Sequence, residues 1–130
     1  MNESGTAEPD LSVADMATLL TAGYAQPTPT WLYVVRAGLV PGTPTAEFHR
    51  WYDEIHLPRI LSVPGFNWAS RYLASGESSF FVTIYSVDGP EVFESEAYAS
   101  LPGWEHWRSS LVNWTRGLYR LDNNLGHRGR

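Results

Sequence analysis

Between positions 48 and 58 the chain reads Phe48-His49-Arg50-Trp51-Tyr52-Asp53-Glu54-Ile55-His56-Leu57-Pro58. Two imidazoles, two carboxylates and a phenol fall within about three turns of a helix. Imidazole is the side chain that gains or loses a proton near neutrality. A carboxylate beside it selects its tautomer and raises its basicity, and a phenol donates to a developing oxyanion. On a helix, residues three and four apart are neighbours. Tyr52 then lies beside His56, His49 beside Asp53, and Asp53 within reach of His56. This arrangement suits general acid/base chemistry: His56 as base or acid, Asp53 to orient it, His49 as a second proton carrier, and Tyr52 as donor to a carbonyl or phenol oxygen.

The same residues also fit the flank of an ordinary amphipathic helix, where histidines cap, stack or pair. A metal centre on His49, Asp53 and His56 fits less well. The spacing is not His-Glu-x-x-His, and two helical turns, roughly 10 Å, separate the imidazoles. Elsewhere, Trp104-Glu105-His106-Trp107 sets a histidine between two indoles, and its simplest reading is a packed helix with His106 exposed. Trp68, Ser70 and Tyr72 share one face of a strand. Arg71 points the other way and is a candidate for an anionic substrate group or a partner carboxylate. Trp51, Trp68, Tyr72, Tyr85, Trp104 and Trp107 are candidates for the apolar wall of a pocket. His127 lies in a tail with no evident role.

Composition removes most other chemistries. The 130 residues contain no cysteine, and all nine basic residues are arginine. Thiolate catalysis, disulfides and thiolate metal sites are thereby excluded, as are Schiff-base chemistry and a covalently held pyridoxal cofactor. No Gly-rich phosphate loop follows a strand, and there is no serine nucleophile elbow. No organic cofactor is expected. The net charge of -5 and the absence of basic runs argue against a nucleic-acid or anionic-membrane surface. No secretory signal or long apolar span is evident, so a cytoplasmic protein is expected.

The elements that must position the helix follow from periodicity and turn residues. Residues 1–29 read as an N-terminal arm: a short helix from the capping box Ser12 to Asp15 through Leu20, then the linker Pro27-Thr28-Pro29. A single domain spans residues 30–123, and 124–130 form a flexible tail. Strand one covers Trp31–Ala37. The first helix starts at an N-cap Thr45, has apolar positions Phe48, Trp51, Tyr52 and Ile55, and is ended or kinked by Pro58. On a regular wheel Phe48, Trp51 and Ile55 centre the buried stripe, Tyr52 sits on its edge, and His49 and His56 lie on the flank. Strand two covers Phe66–Ala74, a hairpin at Ser75–Ser78 leads into strand three, Phe80–Val87, and a second helix runs from Pro90 to about Ser100. A further helical piece carries Trp104, Trp107, Leu111 and Trp114, and strand four covers Arg116–Leu121.

This order is β-α-β-β-α-β, an α+β ferredoxin-like plait. Two helices cover one face of a four-stranded sheet, yet strand three is apolar on both: Phe81 and Tyr85 on one, Phe80, Val82 and Ile84 on the other. A second layer is needed, and a second copy of the chain is its simplest source, giving a two-fold homodimer.

The motif from Phe48 to Pro58, followed by Val63-Pro64-Gly65-Phe66 and the strand residues Arg71-Tyr72, resembles the EthD-like branch of the dimeric α+β barrel superfamily. The resemblance is carried by residues 48–72, and the element order extends it to about 31–121; the N-terminal arm lies outside it. It implies dimers whose sheets pack into a shared barrel, with a pocket between sheet and helices in each subunit. It implies cofactor-free chemistry on small aromatic, polyketide or lactone substrates, or an accessory role in degradation. The motif histidine, tyrosine and aspartate fall on His56, Tyr52 and Asp53. His49 and the Trp104–Trp107 cluster are not motif positions.

The leading expectation is therefore a cofactor-independent cyclase, isomerase or lyase acting on a small aromatic or polyketide-type molecule. Its rivals are a cofactor-free monooxygenase of the same fold and a non-catalytic binding or accessory protein.

Overall fold

The computed structural model describes residues 28–122. The capping box at Ser12, most of the N-terminal arm, the tail and His127 lie outside the described residues. Strands β1 (Trp31–Leu39), β2 (Phe66–Ala74), β3 (Glu77–Val87) and β4 (Leu111–Arg120) form one antiparallel sheet in the order β2-β3-β1-β4. The long segment between β1 and β2 carries the first helix across the sheet, so β1 and β2 run parallel with β3 between them. This is the ferredoxin-like plait expected from the element order. No helix among the described residues is long and apolar enough to cross a membrane.

The first helix departs from a regular one. It consists of α1 (Thr45–Trp51), a π-helical turn (Tyr52–His56) and α2 (Leu57–Leu61). Pro44, rather than Thr45, occupies the N-cap, and no side chain caps the helix there. The Tyr52 N–H reaches back to the Phe48 carbonyl, but the Leu57 N–H reaches back five residues to the Tyr52 carbonyl. Such a turn takes up one extra residue. It delivers the chain to Pro58, which has no N–H to give and crowds the carbonyl four residues earlier. Helical bonding then resumes, with Ser62 N–H on the Pro58 carbonyl at 3.0 Å. Pro58 therefore neither ends the helix nor breaks it.

The extra residue rotates everything after Tyr52. Ile55, placed by a regular wheel in the buried stripe, is 42% exposed, whereas His56 is 7% exposed and Tyr52 fully buried. The inward series becomes Phe48, Trp51, Tyr52, His56 and Ile60. The turn at Val63-Pro64-Gly65-Phe66 then reverses the chain, closed by the Phe66 N–H on the Val63 carbonyl at 3.1 Å. Gly65 has φ +97°, and a Cβ there would collide with Val92 Cγ1. Only glycine meets both demands.

The second half has less helix than its sequence pattern suggests. Pro90–Glu94 is a 3-10 turn, α3 is the single turn Glu96–Ala99 capped by Ser95, and Glu105–Ser110 is again 3-10. Leu111 and Trp114 belong to β4, which starts five residues earlier than expected. Their helix-like spacing arises from a β-bulge. The pairing of β1 with β4 shifts between Arg36 and Gly38, opposite Asn113, whose φ of +56° marks the inserted residue.

The core splits by strand parity. One face of the sheet carries Tyr33, Val35, Ala37, Phe81 and Tyr85 against the helices. The other carries Val34, Val82 and Ile84, with Leu32, Trp68 and Tyr72 packed around them. The sheet is thus apolar on both faces.

Candidate active site

The first helix, β1, β3, β4 and the segment 98–104 enclose a cavity of about 280 Å³. His56 is its most reactive wall residue. Its ring packs at a shallow angle on two indoles that also touch each other, Trp51 at 4.8 Å and 19° and Trp104 at 4.9 Å and 27°, the indoles lying 6.4 Å apart, and it meets the edge of Tyr52 at 4.8 Å. Burial lowers the pKa of His56 to about 4, and the positive charges of Arg59 and Arg71 add to the effect. At neutral pH the imidazole is uncharged, and burial makes it a weaker base than a solvated one. Once protonated, it would lie against the two indoles, whose faces attract a cation.

Below the imidazole lies a chain of hydroxyls. Thr83 Oγ1 on β3 donates to Tyr52 Oη at 2.9 Å, and Tyr52 Oη lies 3.3 Å from Tyr85 Oη, a contact in which either oxygen can donate. The Tyr85 ring is 5.5 Å from that of Tyr33, its cross-strand partner on β1. Burial raises the pKa of Tyr52, Tyr85 and Tyr33, so all three stay protonated at neutral pH as hydrogen-bond donors. The hydroxyl of Tyr52 is engaged with the sheet, whereas Tyr33 and His56 keep some exposure at the cavity.

The other flank of the helix is ionic. Arg71 on β2 donates from NH1 to Asp53 Oδ1 at 2.8 Å and lies 3.0 Å by NH2 from His49 Nδ1. Its guanidinium also sits over the Tyr52 ring, 3.9 Å from the centroid. An arginine has only donors to offer, so His49 Nδ1 accepts and its proton rests on Nε2. Asp53 therefore orients Arg71, not His56, and His49 belongs to this ionic cluster. No three histidine or acidic side chains among the described residues gather as a metal site.

The remaining sequence candidates divide. Tyr85 and Trp104 line the cavity, and Trp51 reaches it through the stacked imidazole. Trp107 backs Phe48 from outside, at 5.3 Å. Trp68 and Tyr72 pack on the opposite face of the sheet with Val34 and Ile84, away from the cavity. Sequence alternation alone does not place them, because a one-residue shift exchanges the faces of a strand. Several wall residues had no sequence signal: Tyr33, Arg108, Trp114 and Arg116 meet only once the chain folds, and Thr83 lies buried behind Tyr52. Val35, for example, is paired with both Thr83 and Arg116.

No protein-family model matches the chain, and no curated protein does. Solved structures do. SnoaB from Streptomyces nogalater, a cofactor-independent oxygenase, superposes with a TM-score of 0.60 at 16% identity, over 77% of this chain and 100% of that one. A single-substitution variant of SnoaB gives 0.60 at 18% identity over the same shares. PA3566 from Pseudomonas aeruginosa gives 0.55 at 11% identity, over 76% of this chain and 100% of that one. At these identities the likeness is one of architecture: the chain has the α+β ferredoxin-like fold of the dimeric α+β barrels.

Proposed function

We propose that the chain is a cofactor-independent enzyme that removes a proton from a small aromatic or polyketide-type substrate, with His56 as the base, and passes the resulting carbanion to molecular oxygen. The observation that carries this reading is the uncharged, desolvated imidazole packed against Trp51 and Trp104 at the wall of an aromatic cavity. A base must be unprotonated before it acts, and here burial keeps it so. Transfer of the proton leaves an imidazolium beside an enolate, a pair that a low-dielectric pocket strengthens. Tyr33 is assigned the hydrogen bond to the substrate oxygen. Tyr52, tied to Thr83 and Tyr85, is a positioning residue for that hydroxyl row. A substrate methylene oxidised to a carbonyl takes one oxygen atom from O₂. The second oxygen leaves as water with the two hydrogens, so the substrate supplies the electrons.

The likeness in fold to a cofactor-independent oxygenase supports the oxygen-dependent outcome. The same first step without oxygen would serve a cyclase, isomerase or lyase, the leading expectation from sequence. Oxygen uptake during turnover of hydroxylated anthrones and naphthols separates the two: turnover without uptake returns the reading to cyclase, isomerase or lyase. Affinity for these compounds without turnover of any would leave a binding or accessory protein. The rate should rise through about pH 4, as His56 loses its proton, and hold level to neutrality. Membership of the EthD-like branch and a two-fold homodimer through the Val34, Val82 and Ile84 face belong to the same proposal. Sedimentation showing a stable folded monomer at micromolar concentration would remove the dimer.

A further inference from the structure

The cavity differs in charge from the rest of the molecule. The chain as a whole is acidic, with a formal net charge of -5. Yet no aspartate or glutamate is among the residues lining the cavity, whereas Arg59, Arg108 and Arg116 are. Arg59 is matched by Glu105 at 2.6 Å, outside the lining. No carboxylate among the described residues pairs with Arg108 or Arg116. Both are exposed, and both come from the β4 side of the cavity: Arg108 from the 3-10 turn before the strand, Arg116 from the strand itself. Arg116 lies 5.4 Å from the centroid of the Trp114 ring and interacts with the hydroxyl of Tyr33. Trp114 in turn meets Trp104 edge-on at 6.1 Å. The rim therefore offers an aromatic surface and two guanidinium groups that no carboxylate among the described residues pairs with. The interior beyond it is aromatic and uncharged.

We propose that the substrate is an aromatic carboxylate, its ring system inside the cavity against Trp104 and its carboxylate held at the rim by Arg108 and Arg116. This rests on the reading that the cavity is the reaction site, and it adds the chemical class of the molecule that enters. A carboxylate suits the planar donor fork of arginine. The cavity, near the small end of ligand pockets (about 300–1,000 Å³), suits a small ring system. A rim that fixes the anionic end also fixes which carbon of the ring reaches His56. The same positive field stabilises the carbanion after proton transfer.

The test compares 2-naphthoate with its neutral isostere 2-naphthamide and with 2-naphthyl phosphate on the full chain, read by calorimetry and by quenching of tryptophan fluorescence. Naphthoate should bind about tenfold more tightly than the amide at low salt, as a hydrogen-bonded charge pair implies. The advantage should shrink as salt is added. The double variant Arg108→Gln with Arg116→Gln should close the gap by weakening naphthoate. If the Arg116 change disturbs Tyr33 and the fold, Arg108→Gln alone should narrow the gap, and Arg108→Lys should restore part of it. Equal affinity for acid and amide, binding of neither, or a gap that survives both substitutions overturns the proposal. Tighter binding of the phosphate overturns the carboxylate assignment. His56-dependent oxygen uptake on neutral substrates, indifferent to both arginines, would sink this inference while leaving the proposed chemistry intact.

Discussion

Two histidines seven residues apart on one helix have opposite surroundings. His56 is enclosed by indoles, with no carboxylate on its ring, and opens onto a cavity. His49 lies on the ionic flank, its Nδ1 facing the guanidinium that also binds Asp53. The Arg71 guanidinium, which crosses the Tyr52 ring, separates the two settings. A dense run of titratable groups therefore need not act as one unit. Desolvation tunes one imidazole, while hydrogen bonding fixes the tautomer of the other. The first effect prepares a base; the second clamps the helix to β2.

The largest test of this contrast is catalytic. His56→Ala should lower turnover by about 10²–10⁴-fold, the usual worth of a positioned base, with a much smaller loss for His49→Ala. Oxygen uptake measures both, and equal losses would erase the distinction. The next effect is on stability. The folded pKa of His56 is about 4, against 6.5 unfolded. The unfolded chain therefore takes up this proton first as pH falls. His56 contributes its full share above pH 6.5 and loses it between 6.5 and 4, roughly 3 kcal/mol in all. Denaturant titrations across that range should show the slope in the parent and in His49→Gln, and a shallower one in His56→Gln.

Smaller effects probe the residues between the two histidines. Tyr52→Phe leaves the buried Thr83 hydroxyl without its acceptor and should cost about 1–3 kcal/mol. Arg71→Gln gives up an ion pair to a well-exposed carboxylate and a contact with the Tyr52 ring, and should cost about 1 kcal/mol. A denaturation midpoint that moved more for Arg71 than for Tyr52 would reverse the ranking of the two flanks. Smallest of all, Ile55→Ser should change stability by no more than about 0.5 kcal/mol. On a regular helix the same change would remove a core side chain and cost about 2–5 kcal/mol. Unfolding measurements on this one variant therefore report whether the π turn is present in solution.

Much of the architecture was legible before any coordinates. The runs Trp31–Ala37 and Phe66–Ala74 are β-branched and aromatic between turn residues, and they became strands β1 and β2. Both parities of β3 were apolar, and both faces of the sheet carry a cluster. The second half was misread for a local reason. Trp104, Trp107, Leu111 and Trp114 keep helical spacing, but a residue with positive φ at Asn113 inserts a bulge that mimics it within a strand. Pro90 opened a 3-10 turn rather than a long helix, and Ser95 started a separate one. Turn types of this kind differ by little in local energy, so packing rather than propensity chooses among them.

The order of the elements, the helix that bears the histidines and the menu of groups able to act are all written in the amino-acid sequence. Those follow from residue types and short-range periodicity. Which of these groups share a cavity depends on how the folded elements pack. A π turn of one extra residue rotates His56 inward and Ile55 outward, and strand register brings Tyr85, Tyr33 and Arg116 to the same wall while carrying Trp68 and Tyr72 to the opposite face. Both are choices of phase. A helix wheel or strand pattern is periodic, so it defines the spacing of side chains. The direction in which the set points is settled by contacts between segments far apart in the chain.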